Sequence, residues 1–190
     1  SFNAAILGAF YAREMLAVRA EGRIDDTMES VDAPVHRAWD LGVRDDTSIW
    51  FWQVVGGQVY ILDCYSASGV GLDHYAQVIE DRHKANGWQH GTDWVPHDAK
   101  VKELGTGRTR VETMESLGLR PRLVPNAGLL DGINALRQSL PRFVFHPDCE
   151  AGISALEQYR REWDDEKKTF RASPLHDWTS HFADAARYLA

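Results

Sequence analysis

Three aspartates and one histidine, far apart along the chain, have the residue types and surroundings of a site for divalent cations. Asp40 and Asp98 each end a short apolar run, and Asp184 stands among alanines three residues after His181. Carboxylate oxygens with a single imidazole suit Mg²⁺ or Mn²⁺ better than a structural zinc ion. Two such cations activate water and stabilise the leaving oxygen in phosphodiester hydrolysis. The set therefore predicts a hydrolase that uses two metal ions.

Each of these residues also has an ordinary structural explanation when it is taken alone. Asp40 could cap a turn, Asp98 could be the N-cap of a helix, and His181 could be a hydrogen-bonded core histidine. Asp184 alone would pair with Arg187 or with another cation of the fold. The catalytic interpretation depends on the three carboxylates meeting in one pocket, where their mutual repulsion would favour divalent cations.

Basic side chains follow the second candidate acid. Beside a metal site they would hold the phosphate backbone of DNA without reading its sequence, whereas elsewhere they would form a solvated loop. The predicted DNA contacts are Lys100, Lys102, Arg108, Arg110 and Arg187.

Composition limits the remaining classes of function. The chain has 190 residues, 44% of them hydrophobic, and a formal net charge of -7, which argues against indiscriminate binding of nucleic acid. It contains no apolar run long enough for a membrane span, no visible secretory signal and no phosphate-binding loop of the ATPase type. Cys64 and Cys149 lie too far apart in sequence for a Cys-x-x-Cys pair. We therefore expect a cytosolic protein without a disulfide framework or a cysteine zinc site.

The elements that must position these residues follow from hydrophobic periodicity. Residues 3–21 read as an amphipathic helix with Leu7, Tyr11, Met15 and Val18 on one face, followed by an acidic connector. Runs at 35–41, 48–55 and 58–65 predict an antiparallel meander, with a Gly-Gly hairpin between the last two. Alternating patterns then predict helices near 72–79, 110–117, 133–140, 153–163 and 179–190, and strands near 93–96, 120–124 and 142–145. This order predicts the α/β class, with a mixed central sheet flanked by helices.

Short motifs in a fixed order resemble the C-terminal nuclease domain of the large terminase subunit of tailed bacteriophages and prophages. The resemblance extends from about Gly8 to the end of the chain. The motifs are Phe10-Tyr11-Ala12, Glu21-Gly22-Arg23-Ile24, Trp39-Asp40-Leu41-Gly42 with Asp46, His97-Asp98-Ala99-Lys100, Asp131-Gly132-Ile133-Asn134, His176-Asp177-Trp178, Ser180-His181 and Asp184-Ala185-Ala186-Arg187-Tyr188.

The resemblance implies a ribonuclease H-like fold, in which an acid on the first strand lies beside one on the fourth and a third acid sits on the last helix. Asp40, Asp98 and Asp184 match these positions, and His181 matches a histidine that some members place before the third acid. The family cuts concatemeric double-stranded viral DNA with Mg²⁺ or Mn²⁺. The site would then consist of three metal-binding acids supported by one histidine.

The resemblance also implies a context. Residues 1–30 would be a flanking helix and linker at the end of an ATPase domain, and residues 31–190 the nuclease domain. The expected partners are DNA, that ATPase domain, the small terminase subunit and the portal, in the cytoplasm of an infected or lysogenic bacterium. We expect the chain to be a fragment of such a protein. Two other functions remain open: a catalytically silent docking module of the packaging motor, and another ribonuclease H-like nuclease such as a junction resolvase.

Overall fold

A six-stranded mixed sheet forms the centre of the molecule. The computed structural model describes residues 7–26, 32–42 and 46–189. The strands are β1 (Val35–Asp40), β2 (Thr47–Val55), β3 (Gln58–Ala67), β4 (His90–Val95), β5 (Pro121–Leu123) and β6 (Phe143–Phe145), arranged in the order β5-β4-β1-β2-β3-β6. The first three strands are antiparallel, whereas β4, β5 and β6 each pair in parallel with their neighbours. The predicted mixed sheet is thus confirmed.

Helices cover both faces of this sheet. They are α1 (Ala12–Ala20), α2 (Leu72–Asn86), α3 (Arg110–Ser116), α4 (Leu129–Ser139), α5 (Glu150–Gln158) and α6 (Ser180–Arg187). A separate hairpin is formed by β7 (Arg161–Asp164) and β8 (Thr169–Pro174). Single 3₁₀ turns lie at His97–Lys100, Leu140–Arg142 and Pro147–Cys149.

The alternation of side chains along the strands divides the core into two layers. Ala38 and Trp50 face a cluster that includes buried residues of α1, α4, α5 and α6. Trp39 and Phe51, their neighbours in sequence, face a second cluster with residues of α2 and α3. Because successive side chains of a strand point to opposite faces, a residue of β1 is assigned to one layer by its position alone.

A buried ion pair joins β1 to β4 on the second of these faces. Arg37 and Asp93 are opposite each other in the parallel register, and both are almost fully buried. The guanidinium donates to both carboxylate oxygens at 2.8 and 2.6 Å. The Trp39 indole at 2.8 Å and the Arg120 amide at 2.9 Å also donate to Asp93. Four donors therefore satisfy a carboxylate that would otherwise be costly to bury.

The Gly-Gly hairpin between β2 and β3 forms as predicted. Gly56 and Gly57 have φ angles of +57° and +78°, which matches the turn type that suits the twist of antiparallel strands. Residues with a Cβ adopt such angles at a cost, so this turn depends on both glycines.

One predicted helix is wrong at its C-terminal end. The helix expected near 153–163 ends at Gln158, and Trp163 lies in β7. Instead of continuing the buried stripe of α5, Trp163 is 47% exposed and packs edge-on against Phe170 across the hairpin. Sequence periodicity does not reveal this cross-strand contact, so it missed the hairpin.

The N-terminal helix is packed into the core of the rest of the chain. The predicted continuous helix is wrong at residues 9–11, because Ala9 forms a β-bridge with Arg160 and the Phe10 amide donates to the Tyr159 carbonyl at 3.0 Å. Phe10 and Tyr11, just before α1, and Met15 and Val18 within it are buried in the first cluster, whereas Leu7, which we expected on the same face, is 74% exposed. Residues 3–6 of the predicted helix lie outside the described residues. The division into residues 1–30 and 31–190 remains a prediction.

Candidate active site

Two of the predicted acids line one cleft at the carboxyl ends of neighbouring parallel strands. Asp40 is the last residue of β1, and Asp98 lies in the 3₁₀ turn that follows β4. The cleft has a volume of about 460 Å³, and Lys100, Asn126 and Tyr188 are among its other lining residues. Ligand sites of sheet proteins with parallel strands commonly lie at this edge.

The start of α6 places an imidazole on Asp40. The Asp177 carboxylate accepts hydrogen bonds from the Thr179 amide at 2.9 Å and hydroxyl at 2.5 Å, and the Ser180 hydroxyl accepts from the Asp177 amide at 3.0 Å. These contacts fix the first turn of the helix, where His181 Nδ1 lies 3.2 Å from Asp40 Oδ2. Since a carboxylate only accepts, Nδ1–H donates, and in the neutral ring Nε2 carries the lone pair.

Asp184 lies one turn further along α6 and has a cationic neighbour. Arg187 Nη2 donates to Asp184 Oδ1 at 3.1 Å. The Arg187 side chain passes close to α4, because a Cβ at Gly132 would lie 3.3 Å from both its Cδ and its Nη1. In the described part of the chain, Asp184 is not among the residues that line the cleft of Asp40 and Asp98. The third predicted acid is therefore close to the site but engaged by a guanidinium.

The electrostatics of the site show that its carboxylates act on one another. Burial, followed by the Asp184 charge, raises the pKa of Asp40 to about 6, and His181 opposes the shift. Burial also raises the pKa of Asp184, against the effect of Arg187. The pKa of Tyr188 rises to about 12 through burial, and Asp40, Asp184 and Asp98 all contribute in the same direction. The charges of all three predicted acids thus act on the Tyr188 hydroxyl.

The donor set fits a magnesium-like ion, although its members do not form a closed ligand shell. Within the described ranges, no three His, Cys, Asp or Glu side chains converge closely enough to hold a metal ion. The set nevertheless offers carboxylate oxygens and one imidazole, which suit Mg²⁺ or Mn²⁺. The pKa of Asp40 is raised first by burial and then by the Asp184 charge, and a divalent cation bound to the carboxylate would oppose both effects.

The predicted DNA contacts fall into two groups. Lys100, Lys102 and Arg108 are exposed on the segment that follows Asp98. By contrast, Arg110 donates to the Leu41 carbonyl at 3.0 Å and to Glu103 Oε1 at 3.0 Å. Arg187 is mostly buried in its pair with Asp184. Both of these arginines are thus occupied by contacts within the chain.

Sequence reasoning assigned no role to Asn126 and Tyr188, although both line the cleft. Asn126 follows β5, the third parallel strand at this edge, so a polar residue after a predicted strand was the available signal. Tyr188 lies four residues after Asp184, one turn along the same helical pattern.

Comparison with known proteins identifies the fold. No protein-family model matches the chain, and no curated protein matches it in sequence. Solved structures do match, among them the large terminase of a thermophilic bacteriophage, with a TM-score of 0.71 and 18% identity over 96% of this chain and 44% of that chain. The nuclease domain of the P22 large terminase gives 0.63 and 20% identity over 88% and 86% of the two chains.

The nuclease domain of the bacteriophage SPP1 large terminase, solved with bound Mn, gives a TM-score of 0.60 and 14% identity over 87% of this chain and 92% of that chain. The chain therefore has the ribonuclease H-like fold of these nuclease domains, which confirms the predicted fold class. It spans less than half the length of the large terminase from the thermophilic phage. No helix in the described part of the chain is long and apolar enough to cross a membrane.

Proposed function

We propose that this chain is the nuclease domain of a phage large terminase and that it hydrolyses phosphodiester bonds of double-stranded DNA with Mg²⁺ or Mn²⁺. The observation that carries the proposal is the shared cleft of Asp40 and Asp98 at the carboxyl edge of a terminase-like sheet, with His181 on Asp40. An acid at the end of each of two adjacent parallel strands is an arrangement that the packing of an α/β core does not require.

The chain's own residues would bind and orient the reacting groups. Asp40, Asp98, Asp184 and His181 would hold the cations, which when bound supply an activated water and neutralise the leaving oxygen. The Nδ1–H of His181 fixes the orientation of the Asp40 carboxylate and leaves Nε2 available as a ligand. Lys100, at the wall of the cleft, would neutralise a phosphate of the bound strand.

Binding of DNA would depend on a local basic surface, since the chain as a whole carries a net charge of -7. Lys100, Lys102 and Arg108 provide that surface beside the cleft. Removing one cation that neutralises a phosphate reduces the slope of log K against log salt by about one. Replacing all three by alanine should therefore lower the slope by about three, and a slope equal to that of the wild type would exclude this surface.

The direct test is plasmid cleavage in Mn²⁺ by Asp40→Asn and Asp98→Asn, which keep the size of each side chain. We expect both variants to lose cleavage by about 100-fold or more while remaining folded, because metal-ligand carboxylates are required for charge stabilisation. Asp81→Asn, at an exposed position of α2, is the matched control and should cut like the wild type. Undiminished cutting by Asp40→Asn would refute the proposal.

A docking module without catalysis is the second candidate. The observation that favours it is the engagement of Asp184 by Arg187, which leaves the three acids short of a closed metal site among the described residues. Calorimetric titration with Mn²⁺ separates the two functions. A nuclease should bind Mn²⁺ at a site that Asp40→Asn removes, whereas a silent module should show no such site.

Branched and linear DNA offered together would identify a junction resolvase by preference for the branched substrate.

The proposed function also implies partners and a cellular location. In a complete terminase the partners would be the ATPase domain, the small subunit and the portal, in the cytoplasm of an infected or lysogenic bacterial host. The number of bound ions also belongs to the proposal, and the stoichiometry of the same Mn²⁺ titration measures it.

A further inference from the structure

We propose that the loop of residues 101–109 is a DNA wedge, with Leu104 inserting between base pairs from the minor groove of the duplex held in the cleft. This inference rests on the proposed nuclease function and identifies how the substrate would be engaged. The position of the loop supports it, because Lys100, directly before the loop, and Val101, at its start, line the same cleft as Asp40 and Asp98.

The first observation is the exposure of two large apolar side chains in this short loop. Leu104 is 107% exposed and Val101 is 62% exposed. A single exposed leucine is ordinary on a protein surface. Here, however, both apolar residues lie among exposed cations, namely Lys100, Lys102 and Arg108. An apolar tip flanked by basic side chains is the chemical pattern of residues that enter the minor groove and unstack base pairs.

The second observation is that the loop is held in shape before any ligand binds. The Glu103 amide donates to the Arg108 carbonyl at 2.9 Å, and the Gly107 amide donates to the Glu103 carbonyl at 2.9 Å. Gly107 has a φ of +67°, and Lys102 and Thr109 form an isolated β-bridge. A preformed loop loses little conformational entropy on binding, so its apolar tip can be pressed into a base stack.

The third observation is a tether from the loop to the active-site strand. Arg110 bonds Glu103 in the loop and also the carbonyl of Leu41, which directly follows Asp40. Arg110 therefore links the loop to the strand that carries Asp40. Arg110 also pairs with Glu103, the acidic residue of the loop, so the other two charged residues of the loop, Lys102 and Arg108, give it a net positive charge. Charge complementarity thus favours DNA as the partner over a basic or neutral protein surface.

A wedge at this position has a consequence for site choice. Pyrimidine–purine steps such as TA and CA are the easiest to kink and unstack, so they should be preferred near the cut without any hydrogen bond to a base. The contribution of Leu104 should be independent of salt, because it removes no phosphate charge, whereas that of Lys102 and Arg108 should weaken as salt is added.

The experiment uses a 30-base-pair duplex with 2-aminopurine at a central TA step, bound to the wild-type chain in EDTA. We expect fluorescence to rise as the base unstacks. Leu104→Ala should lose most of this rise and bind about tenfold more weakly with an unchanged salt slope. Leu16→Ala, at a 56% exposed position of α1, is the matched control and should behave like the wild type. A duplex with a mismatch at the probe should restore binding of Leu104→Ala.

The outcomes separate this inference from the proposed function. A plasmid that is still cut, together with equal fluorescence for wild type and Leu104→Ala, would overturn the wedge and leave the nuclease intact. If the wild type neither binds the duplex nor cuts plasmid in Mn²⁺, both proposals fail. Reduced fluorescence in Leu104→Ala with rescue by the mismatch supports the wedge.

Discussion

Two carboxylates on adjacent strands, Asp93 and Asp40, differ sharply in how the fold treats them. Asp93 is fully buried and accepts four hydrogen bonds, two of them from Arg37. Asp40 is partly buried, has one imidazole contact and is repelled by Asp184, so its pKa rises to about 6. The charge of Asp93 is balanced by Arg37 within the chain. The contact with His181 balances the charge of Asp40 only in part.

The difference follows from which side of β1 each group occupies. Arg37 and Trp39 face the layer of α2 and α3, where side chains from β4 and β1 close around Asp93. Asp40 ends the strand one residue later and meets the first turn of α6 at an open edge of the sheet. Charged groups with incomplete compensation at such an edge are common in functional sites. They lower the free energy of unfolding but leave the group able to bind a ligand.

The largest effect should come from Asp93→Asn. This change removes the charge that balances the buried Arg37 and leaves one of the four donors facing an amide group that can also donate. Breaking a buried, hydrogen-bonded pair costs about 3–5 kcal/mol. Urea denaturation followed by tryptophan fluorescence should therefore show a free energy of unfolding lower by that amount. Asp81→Asn, at an exposed position, should change it by less than about 0.5 kcal/mol.

If Asp93→Asn hardly changes the free energy of unfolding, Asp93 is not the structural carboxylate that its contacts suggest, and it does not differ from Asp40 in this respect. Arg37→Met with Asp93→Leu, which removes both charges, provides a second measurement. Replacing both members of a buried pair by apolar residues is often neutral. If the double variant is much more stable than Asp93→Asn, the unpaired arginine is the cause of the loss.

Asp40→Asn should have the opposite sign. Burial and the Asp184 charge disfavour the ionised carboxylate in the folded chain, as its raised pKa shows. Removing the charge should therefore raise the free energy of unfolding at pH 7 by about 1–2 kcal/mol in the absence of divalent cations. The same denaturation in EDTA measures it. A loss of stability comparable to that of Asp93→Asn would mean that Asp40 is a structural residue.

These residues also show what the sequence could and could not predict. Asp40 and Asp98 are predicted as site residues because each ends a short apolar run, which is a local pattern, and the prediction of the Gly56–Gly57 turn depends on an equally local one. The Arg37–Asp93 pair depends on the register of β1 against β4, two strands that lie far apart along the chain. Neither residue has a sequence context that indicates burial. For Asp184 the sequence allows several cationic partners, among them Arg187. The spacing of three residues on a helix permits the Asp184–Arg187 contact but does not require it.

The stability contributions of the Arg37–Asp93 region and of Asp40 should change in opposite directions as the pH falls. His83 donates through Nδ1 to the Trp88 carbonyl and accepts from Arg37 at Nε2, so it is neutral in the fold. Burial, together with the charges of Arg37 and His90, lowers its pKa to about 4, against weaker effects of Trp88 and Asp93. Between about pH 6.5 and 4 the unfolded chain binds the extra proton, so this histidine reduces stability as the pH falls.

Asp40 has the reverse sign, because its folded pKa of about 6 lies above the unfolded value. The folded chain binds the extra proton between these values, so Asp40 adds stability as the pH falls through 6. Between pH 7 and 5, His83→Gln should lose less stability than the wild type and Asp40→Asn should lose more, each by about 1 kcal/mol. Urea midpoints at half-unit pH intervals measure both slopes. His36 and His90, whose pKa values are also lowered by burial, keep some acid sensitivity in His83→Gln.

The smallest expected effect compares one tyrosine from each layer. Tyr11, in the layer that contains α6, is completely buried, and its hydroxyl has no hydrogen-bond partner among the described residues. Tyr75, in the other layer, donates to the Ala67 carbonyl at 2.8 Å. An unpaired buried hydroxyl costs free energy, whereas a bonded one contributes about 1 kcal/mol.

Tyr11→Phe should therefore raise the free energy of unfolding by up to about 1 kcal/mol, and Tyr75→Phe should lower it by a similar amount. Both variants remove only one oxygen, so packing volume is nearly constant and the difference reports the hydrogen bond. Thermal and urea denaturation of the pair under identical conditions measure it. Equal losses from the two variants would show that the Tyr11 hydroxyl is paired in solution, and the contrast between the two tyrosines would then be absent.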